Sequence, residues 1–208
     1  MNLDVKPRPN VTVSFGPSFS HSEDPSQFVD RYADAAYSAF FGTHYLFGHL
    51  DQNSVSMNTR LNVTFSPSLT LELFMQPFMV AGDFSNYNEF AAPRSSRRLI
   101  YGQDMGTIVK REGADPGDPN RITVDADGAG AAPPFSFDDP SFTFRSLRGN
   151  AVLRWEYRPG STLFLVWTRS GSSSLNRGTL DFGEDFRSLW SGESENIFLV
   201  KFNFWLGF

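Results

Sequence analysis

Apolar residues occupy every second position over the last stretch of the chain. Six of them follow this spacing from Phe198 to Phe208, with polar residues such as Lys201 and Asn203 between them. A period of two predicts an extended strand with one continuous apolar face. Soluble proteins rarely place so many large apolar groups in a row on one face, because that face must then be covered. The pattern therefore favours a strand that faces lipid over the last strand of a soluble sandwich.

The same alternation recurs in four earlier segments, at about residues 11–19, 56–65, 71–79 and 150–157. A fifth segment, residues 162–168, is apolar at nearly every position, so the pattern does not distinguish its two faces. With the terminal segment these make six long strands. The residues predicted to face lipid are Val11, Val13, Phe15, Leu61, Val63, Leu71, Leu73, Leu153, Trp155, Phe202, Phe204 and Leu206.

The predicted connections between these strands are of two kinds. Short turns are expected at about residues 6–10, 66–68 and 159–160, and long loops at about 20–44, 83–140 and 170–193. Outer-membrane barrels have this asymmetry, with short periplasmic turns and longer extracellular loops, whereas sandwiches spread their loops over both ends. The long loops are predicted to contain strand extensions at Gln27–Arg31 and His44–Leu50, a hairpin of Thr107–Arg111 with Arg121–Asp125, and one or two helical turns at Asp185–Trp190.

These patterns predict an all-β fold, namely an antiparallel transmembrane β-barrel of the outer-membrane type that occupies residues 1–208. Six strands are too few to enclose packed side chains, since the smallest such barrels have about eight. Counting Phe28–Tyr32 and Tyr45–Leu50 separately would give eight. The first residues, MNLDVKPRPN, lack the basic and apolar regions of a signal peptide. We therefore expect a six-strand C-terminal segment of a larger barrel.

Composition narrows the functional classes further. Charged residues are 20% of the chain and the mean hydropathy is −0.31. No segment approaches the ~18 consecutive apolar residues of a spanning helix, which excludes a helical membrane protein. The net charge of −5 argues against a nucleic-acid partner, because such a partner calls for a basic surface. The absence of cysteine excludes disulfides and thiolate metal sites.

The polar positions of the predicted strands carry charges where a barrel would have its lumen. Arg60 and Glu72 fall on neighbouring strands, where opposite charges can pair. Because both signs are mixed, the pattern favours a lumen closed by ion pairs over a charged lining that tunes solute passage. The residues predicted to line the lumen are Arg60, Asn62, Glu72, Gln76, Arg148, Arg154, Glu156 and Lys201.

Aromatic residues near the strand ends are typical of the girdles that settle at a membrane–water boundary. We assign Tyr157, Trp167 and Phe208 to such girdles. Trp205 falls on the inward phase of its strand, and we expect it to plug the lumen.

Residues with the chemistry of a catalytic or metal site are few. The sequence Asp125-Ala126-Asp127-Gly128 begins like a calcium loop but lacks the later ligands. The three histidines, His21, His44 and His49, have no orienting carboxylate or oxyanion hole assigned by sequence, and we predict that all three are surface or loop residues. We therefore predict no catalytic residue, no metal site, no cofactor and no enzymatic activity for this chain.

Four segments carry a more specific resemblance. They are YLFGHLDQNSVSMNTRLNVTFSPSLTLELFMQPFMVAGDF (Tyr45–Phe84), ITVDADGAGAAPPFSFDDPSFTFRS (Ile122–Ser146), FRSLRGNAVLRWEYRPGSTLFLVWT (Phe144–Thr168) and the closing NIFLVKFNFWLGF. Together they resemble the C-terminal barrel region of the DUF5916 family, whose members carry an N-terminal domain similar to family 9 carbohydrate-binding modules. A terminal strand that ends on Phe208 also resembles the signal through which the barrel assembly machinery inserts outer-membrane proteins. The resemblance implies a porin-like protein in the Gram-negative outer membrane, with outer-membrane lipid as its surroundings and a link to glycans through the upstream domain.

Three functional hypotheses remain open from the sequence. The first is an outer-membrane barrel that serves as anchor or channel of a larger envelope protein, with a link to glycan binding or uptake. The second is a part of an envelope glycan-binding protein or hydrolase whose active domain lies upstream. The third is a soluble β-sandwich or lipocalin-like binding protein, which would need no detergent for extraction.

Overall fold

The computed structural model describes residues 2–35, 37, 40–115, 118–130 and 132–206. The predicted all-β fold is confirmed, since nearly every element is an antiparallel strand and the described residues form one helix. The elements are β1 (Leu3–Arg8), β2 (Val11–Ala33), β3 (Thr43–Ser66), β4 (Leu69–Phe90), β5 (Arg98–Ile100), β6 (Thr107–Arg111), β7 (Arg121–Asp125), β8 (Phe135–Asp138), β9 (Phe142–Arg158), β10 (Ser161–Leu175), α1 (Phe182–Ser191) and β11 (Ser194–Asn203). Helix α1 is too short and too polar to span a bilayer.

One large sheet contains most of the strands, in the order β1-β2-β3-β4-β9-β10-β11, with the short β5 paired to β4. All neighbouring pairs are antiparallel. Within the described residues β1 and β11 do not pair with each other, so the sheet has two open edges. The predicted hairpin in the long loop is confirmed, and β8 adds a third strand to it, giving a small sheet of order β6-β7-β8.

Short and long connections lie at opposite ends of the large sheet. The turn end carries the two-residue connections at 9–10, 67–68 and 159–160, and the loop end carries the connections 34–42, 91–141 and 176–193. At the loop end the predicted extensions are confirmed, since Gln27–Arg31 lies in β2, His44–Leu50 lies in β3 and the two pair with each other. Backbone pairing also continues between these extensions and the apolar alternation, so β2 and β3 are each one long strand. The helix is also longer than predicted. Asp181 is its N-cap and accepts a 3.0 Å hydrogen bond from the Glu184 amide, which satisfies one of the free amides of the first turn.

Two expectations at the turn end are wrong. Lys6–Arg8 belongs to strand β1 rather than to a turn, and Ser66 is the last residue of β3. Leu3 and Val5 pair with Phe15 and Val13. The open edge is therefore β1 and not the segment Val11–Phe19. The sequence pattern missed β1 because it is short and contains a proline, which is tolerated on an edge strand.

The register of the large sheet sorts its side chains into two faces, because directly opposed residues point to the same side. Two rows cross six strands with an apolar residue at every position. They are Val13–Leu61–Leu73–Ala151–Trp167–Phe198 and Val11–Val63–Leu71–Leu153–Leu165–Val200. We call the side that carries these rows the apolar face. It continues onto β1, where Val5 pairs with Val13.

The other side, which we call the polar face, carries different rows. They are Ser14–Arg60–Phe74–Asn150–Thr168–Ile197 and Thr12–Asn62–Glu72–Val152–Val166–Leu199. This face is polar over β2 to β4 and becomes apolar towards β10 and β11. The register also resolves residues 162–168, because Leu163, Leu165 and Trp167 lie on the apolar face and Phe164 and Val166 on the polar face.

Among the described residues, the two clusters of buried apolar side chains lie from the middle of the strands to the loop end. One cluster packs the small sheet onto the large one, and consists of Leu46, Tyr87, Tyr101, Ile122, Val124 and Phe137. Phe84 packs against this cluster and lies on the polar face, so the small sheet covers that face. A second cluster of Met79, Leu147 and Leu189 packs α1 onto the apolar face. The loop end therefore has conventional cores on both sides of the sheet.

Candidate functional site: two opposite faces of one sheet

The apolar face is uncovered between the turn end and α1. Ten of the twelve residues predicted to face lipid lie on it, and the other two, Phe204 and Leu206, follow the end of β11, where no strand pairing assigns them a face. Eight of the twelve are half-buried, four are exposed and none is buried. None belongs to either buried cluster. A soluble core is thus not what these side chains form, and whether they meet lipid stays a prediction.

The apolar face is tallest on β2 and β3. Its side chains extend over nine to eleven residues there, at Val11–Phe19 and Val55–Phe65. A strand that crosses a bilayer at the usual tilt of ~45° needs about 9–11 residues. On β4 and β9 the uncovered part is shorter, because Met79 and Leu147 lie under α1. The length on β2 and β3 is a second property that fits this face to a membrane.

Aromatic residues border the apolar face. Tyr157 lies at the turn end, stacks on Phe202 with ring centroids 5.3 Å apart and donates a 3.4 Å hydrogen bond to the Asn203 carbonyl. Trp167 donates a 3.0 Å hydrogen bond from Nε1 to Asn196 Oδ1, where polar residues begin on β10 and β11. Each ring therefore has one apolar side and one polar contact, as girdle residues do.

Two further aromatic predictions have different outcomes. Trp205 is exposed and packs beside the turn at Gly160, and its backbone amide donates a 3.0 Å hydrogen bond to Ser161 Oγ. The expectation that it plugs a lumen is wrong, because the strand has already ended at Asn203. Phe208 lies outside the described residues, so its role as terminal insertion signal stays a prediction.

The polar face carries all eight residues predicted to line a lumen, and none of them is buried. Two concavities open on it. The first, of about 340 Å³, is lined by Arg60, Asn62, Glu72, Leu73, Phe74, Asn150 and Val152. The second, of about 330 Å³, is lined by Gln76, Phe78, Phe144, Ser146, Arg148, Ser170, Gly171 and Ser172.

The predicted ion pair between Arg60 and Glu72 does not form. The register places Arg60 opposite Phe74, and its guanidinium carbon lies 5.5 Å from the ring centroid. Glu72 is instead opposite Asn62. Among the eight residues, the structure forms one ion pair, between Arg154 and Glu156 at 3.5 Å. Most of these charges are therefore free to meet solvent or a solute, and the interpretation as a lumen closed by ion pairs loses its basis.

A buried polar cluster under the small sheet was not predicted from sequence. The expectation that His44 is a surface residue is wrong, since its side chain is only 3% exposed. Its Nδ1 lies 2.8 Å from Glu89 Oε2 and its Nε2 lies 3.3 Å from Asp34 Oδ2. Tyr37 and Tyr101 each donate a 2.8 Å hydrogen bond to Glu89.

The charges of this cluster follow from its geometry. Burial alone would lower the pKa of His44, but hydrogen bonds and negative charge from Glu89 and Asp34 outweigh burial and raise it. In its charged form the imidazole donates from both nitrogens, one to each carboxylate. A β-bulge at Asn86, with φ of 46°, adds one residue to β4 and turns Glu89 to the polar face. A bulge of this kind cannot be read from alternation, which is why the cluster was missed.

A second buried carboxylate fastens the small sheet. Asp139 lies 2.6 Å from Lys110 Nζ and accepts hydrogen bonds from Tyr87 and Ser141. Burial alone would raise the pKa of Asp139, but the bonds from Lys110 and Ser141 lower it overall. These groups are paired with one another, so they favour a structural role over a catalytic one.

Two groups that resemble metal sites are better explained without an ion. His21 is exposed, with Nδ1 3.3 Å from Asp51 and Nε2 3.4 Å from Glu23. The two carboxylates thus meet different ring nitrogens, as expected for an imidazolium and not for a ligand that offers one lone pair. Asp125 accepts a hydrogen bond from the backbone amide of Gly128, and Asp127 accepts one from that of Ala132. These carboxylates therefore stabilise the conformation of the loop.

Comparison of the chain with family models, with curated proteins and with solved structures found no match. The resemblance of Tyr45–Phe84 and Phe144–Thr168 to the DUF5916 family, with the glycan link that it implies, therefore stays a prediction. The antiparallel all-β fold and the two faces of the sheet stand independently of that resemblance.

Proposed function

We propose that this chain is part of a transmembrane β-barrel of the bacterial outer membrane, acting as anchor or channel of a larger envelope protein. The observation that carries the proposal is the apolar face. Its two rows cross six strands without one polar residue. None of the twelve residues predicted to face lipid is buried. In water, burial of such a surface is worth roughly 25 cal/mol per Å², so the face needs a cover. Lipid covers all of it at once.

A soluble sandwich is less consistent with the same geometry. A sandwich would need a second sheet on the apolar face, but the small sheet packs on the polar face. Helix α1 covers only the part of the apolar face around Met79 and Leu147. The asymmetry between minimal turns and long loops also supports a barrel, because short periplasmic turns and longer extracellular loops are its usual arrangement.

The two open edges support a segment of a larger barrel. In lipid each unpaired backbone group costs several kcal/mol, so spanning sheets close on themselves. Strands β1 and β11 each lack a second neighbour among the described residues. We propose that further strands of the parent protein pair with these edges, and that the barrel assembly machinery engages the chain through its terminal strand.

The unpaired charges of the polar face support a channel over a sealed anchor. Arg60, Glu72 and Arg148 are exposed, and they line concavities of a few hundred cubic ångströms. Charged groups of both signs along a wet lumen tune which solutes pass. A link to glycans, or a hydrolase domain upstream, rests on the family resemblance alone and remains the alternative.

A flotation experiment tests the membrane proposal. The purified chain is refolded with phosphatidylcholine vesicles and centrifuged through a density gradient. A control sample of the chain, without lipid or detergent, is prepared in parallel. We expect copies of the chain to pair at their open edges, to float with the vesicles and to resist an alkaline wash. A chain that stays monomeric, folded and soluble without lipid or detergent would contradict the proposal and favour the lipocalin-like alternative.

Introduced cysteines test whether the edges are open. Because the chain has no cysteine, any disulfide in a variant with Asp4→Cys and Lys201→Cys must involve these two positions, which lie on the two edge strands. Open edges predict cross-links between copies in micelles. A cross-linked monomer would instead indicate that β1 and β11 close a small self-sufficient barrel, and the segment proposal would then fail.

A further inference from the structure

Helix α1 presents two sides of opposite character. Asp185 and Leu189 are buried against the sheet. Phe182, Phe186 and Trp190 follow one another at intervals of four and are 57%, 45% and 47% exposed. Residues four apart lie on one side of a helix, and the rings of Phe186 and Trp190 are in edge contact at 6.4 Å. We call these three residues the aromatic stripe.

The helix is held firmly in this orientation. Asp185 is fully buried and accepts hydrogen bonds from Arg145 at 3.0 Å and from Arg177 at 2.7 Å. Leu189 packs against Met79 and Leu147 on the apolar face of the sheet. A helix fixed by two guanidinium groups and an apolar contact cannot rotate to bury its stripe. The aromatic side chains therefore stay exposed in the folded chain.

The stripe begins where the uncovered apolar face ends. Arg169 follows Trp167 by two residues on the same face of β10. Its Nη2 donates a 3.1 Å hydrogen bond to the carbonyl of Trp190. The C-terminal end of α1 is thus joined to β10 two residues beyond Trp167, and Trp190 brings the aromatic stripe to the loop-end border of the apolar surface.

We infer that the aromatic stripe of α1 inserts into the headgroup region of the lipid leaflet on the loop-end side. The inference rests on the proposed membrane function and deepens it. Aromatic rings settle at the membrane–water boundary, and helices that lie in this plane bury their apolar side only ~5–10 Å. The exposed cation of Arg187, beside Phe186 in the sequence, matches the phosphates found at that depth. Continuity with the apolar face is why lipid, and not another protein, is the partner.

Tryptophan depth in vesicles tests this inference. The chain has four tryptophans, so Trp155→Phe, Trp167→Phe and Trp205→Phe together leave Trp190 as the sole emitter. A reference variant also carries Trp190→Phe and gains Leu153→Trp, in the middle of the apolar face. Both are refolded in phosphatidylcholine vesicles with bromine either near the headgroup or deep in the acyl chains.

We expect the bromine near the headgroup to quench Trp190 at least twofold more than the deep bromine, and the opposite order for the reference tryptophan. If the reference is quenched and Trp190 is not, or if Trp190 is quenched best by the deep bromine, the interfacial position is wrong while the barrel stands. If neither is quenched, the membrane proposal itself fails. The single change Trp190→Phe in the otherwise unaltered chain provides a second reading. It should lower shallow quenching, of which the part due to Trp167 at the boundary remains, and leave deep quenching unchanged.

Discussion

The turn end and the loop end of this sheet are continuous in backbone but opposite in packing. At the loop end, apolar side chains such as Leu46, Val124 and Leu147 are buried, and ionised groups such as Glu89 and Asp185 are buried with partners. At the turn end the strands β2, β3, β4, β9 and β10 carry an apolar face with no buried member among the twelve predicted residues. These five strands therefore pass through two kinds of packing along their length.

The difference indicates which solvent each end suits. Water drives apolar side chains into cores, and the loop end has two such cores. Lipid exerts no such drive, and the twelve predicted residues at the turn end belong to neither buried cluster. The change occurs near the level of Arg169 and α1, where polar partners and buried apolar contacts first appear on the apolar face.

The largest effect that would sharpen this comparison is removal of the buried histidine. His44→Leu leaves Glu89 buried without its charged partner, and breaking a buried pair in this way costs about 3–5 kcal/mol. We expect the loss to be local. Hydrogen exchange should show faster opening of the amides around Leu46 and Val124, while the strands at the turn end keep their protection.

Two variants control this experiment. Arg121→Ala removes an ion pair with Asp138 at 2.7 Å in which both side chains are more than half exposed, so it should cost at most ~1 kcal/mol. The double variant His44→Leu with Glu89→Leu should recover part of the loss, because neither charge is then left alone. A cost for His44→Leu no larger than that of Arg121→Ala would show that the cluster does not stabilise the loop end.

A smaller effect is expected when a charge is placed on the apolar face. Leu153→Arg should destabilise the chain in phospholipid vesicles by about 2–4 kcal/mol, the usual cost of a cation on the lipid side of a barrel near the midplane. Val152→Arg is the matched control, since it is the adjacent residue and points to the polar face opposite Glu72. Opposed charges on neighbouring strands are mildly favourable, by about 0.2–1 kcal/mol.

Denaturant titration followed by tryptophan fluorescence measures both variants. Equal losses of unfolding free energy for Leu153→Arg and Val152→Arg would show that the two faces do not differ in their surroundings. A cost confined to Val152→Arg would mean that the inner and outer faces have been assigned the wrong way round.

The mildest perturbation is a change of pH. The pKa of His44 is raised in the folded chain above the ~6.5 of an unfolded one. Its contribution to stability is therefore fully present below about pH 6.5 and is lost as the pH rises through the folded pKa. We expect amide exchange around Leu46 to accelerate, beyond its intrinsic rate, as the pH is raised from 6 to 9. His44→Gln should abolish this extra dependence, and an unchanged dependence would assign it to another group.

The strands of the turn end were predictable from sequence because residues of the apolar face and of the polar face alternate there without interruption. Val11–Phe19 and Leu71–Met79 read directly as strands with the observed faces. Residues 162–168 could not be assigned to the two faces from sequence, since both faces of β10 are apolar there. The faces are decided only by the pairing of Leu165 with Leu153 and Val200. Alternation identifies a face, but register depends on the neighbouring strand.

The candidate site shows the same limit. The polar set from Arg60 to Lys201 was found as a face, yet the partner of Arg60 proved to be Phe74 and not Glu72. The His44 cluster joins residues from three separate segments, around Asp34, His44 and Glu89. It depends on a bulge at Asn86. No local sequence pattern predicts that these three segments come together.

The order of strands in the large sheet has a consequence for folding kinetics. Every pairing in it joins neighbours along the chain except that of β4 with β9, between which lie residues 91–141 with the whole small sheet. Closing a long connection has an entropic cost that must be met before the contacts it permits are gained. We expect the hairpins on either side to form first and the β4–β9 pairing last. The β4–β9 pairing, and not the formation of a turn, would then set the rate at which the sheet assembles.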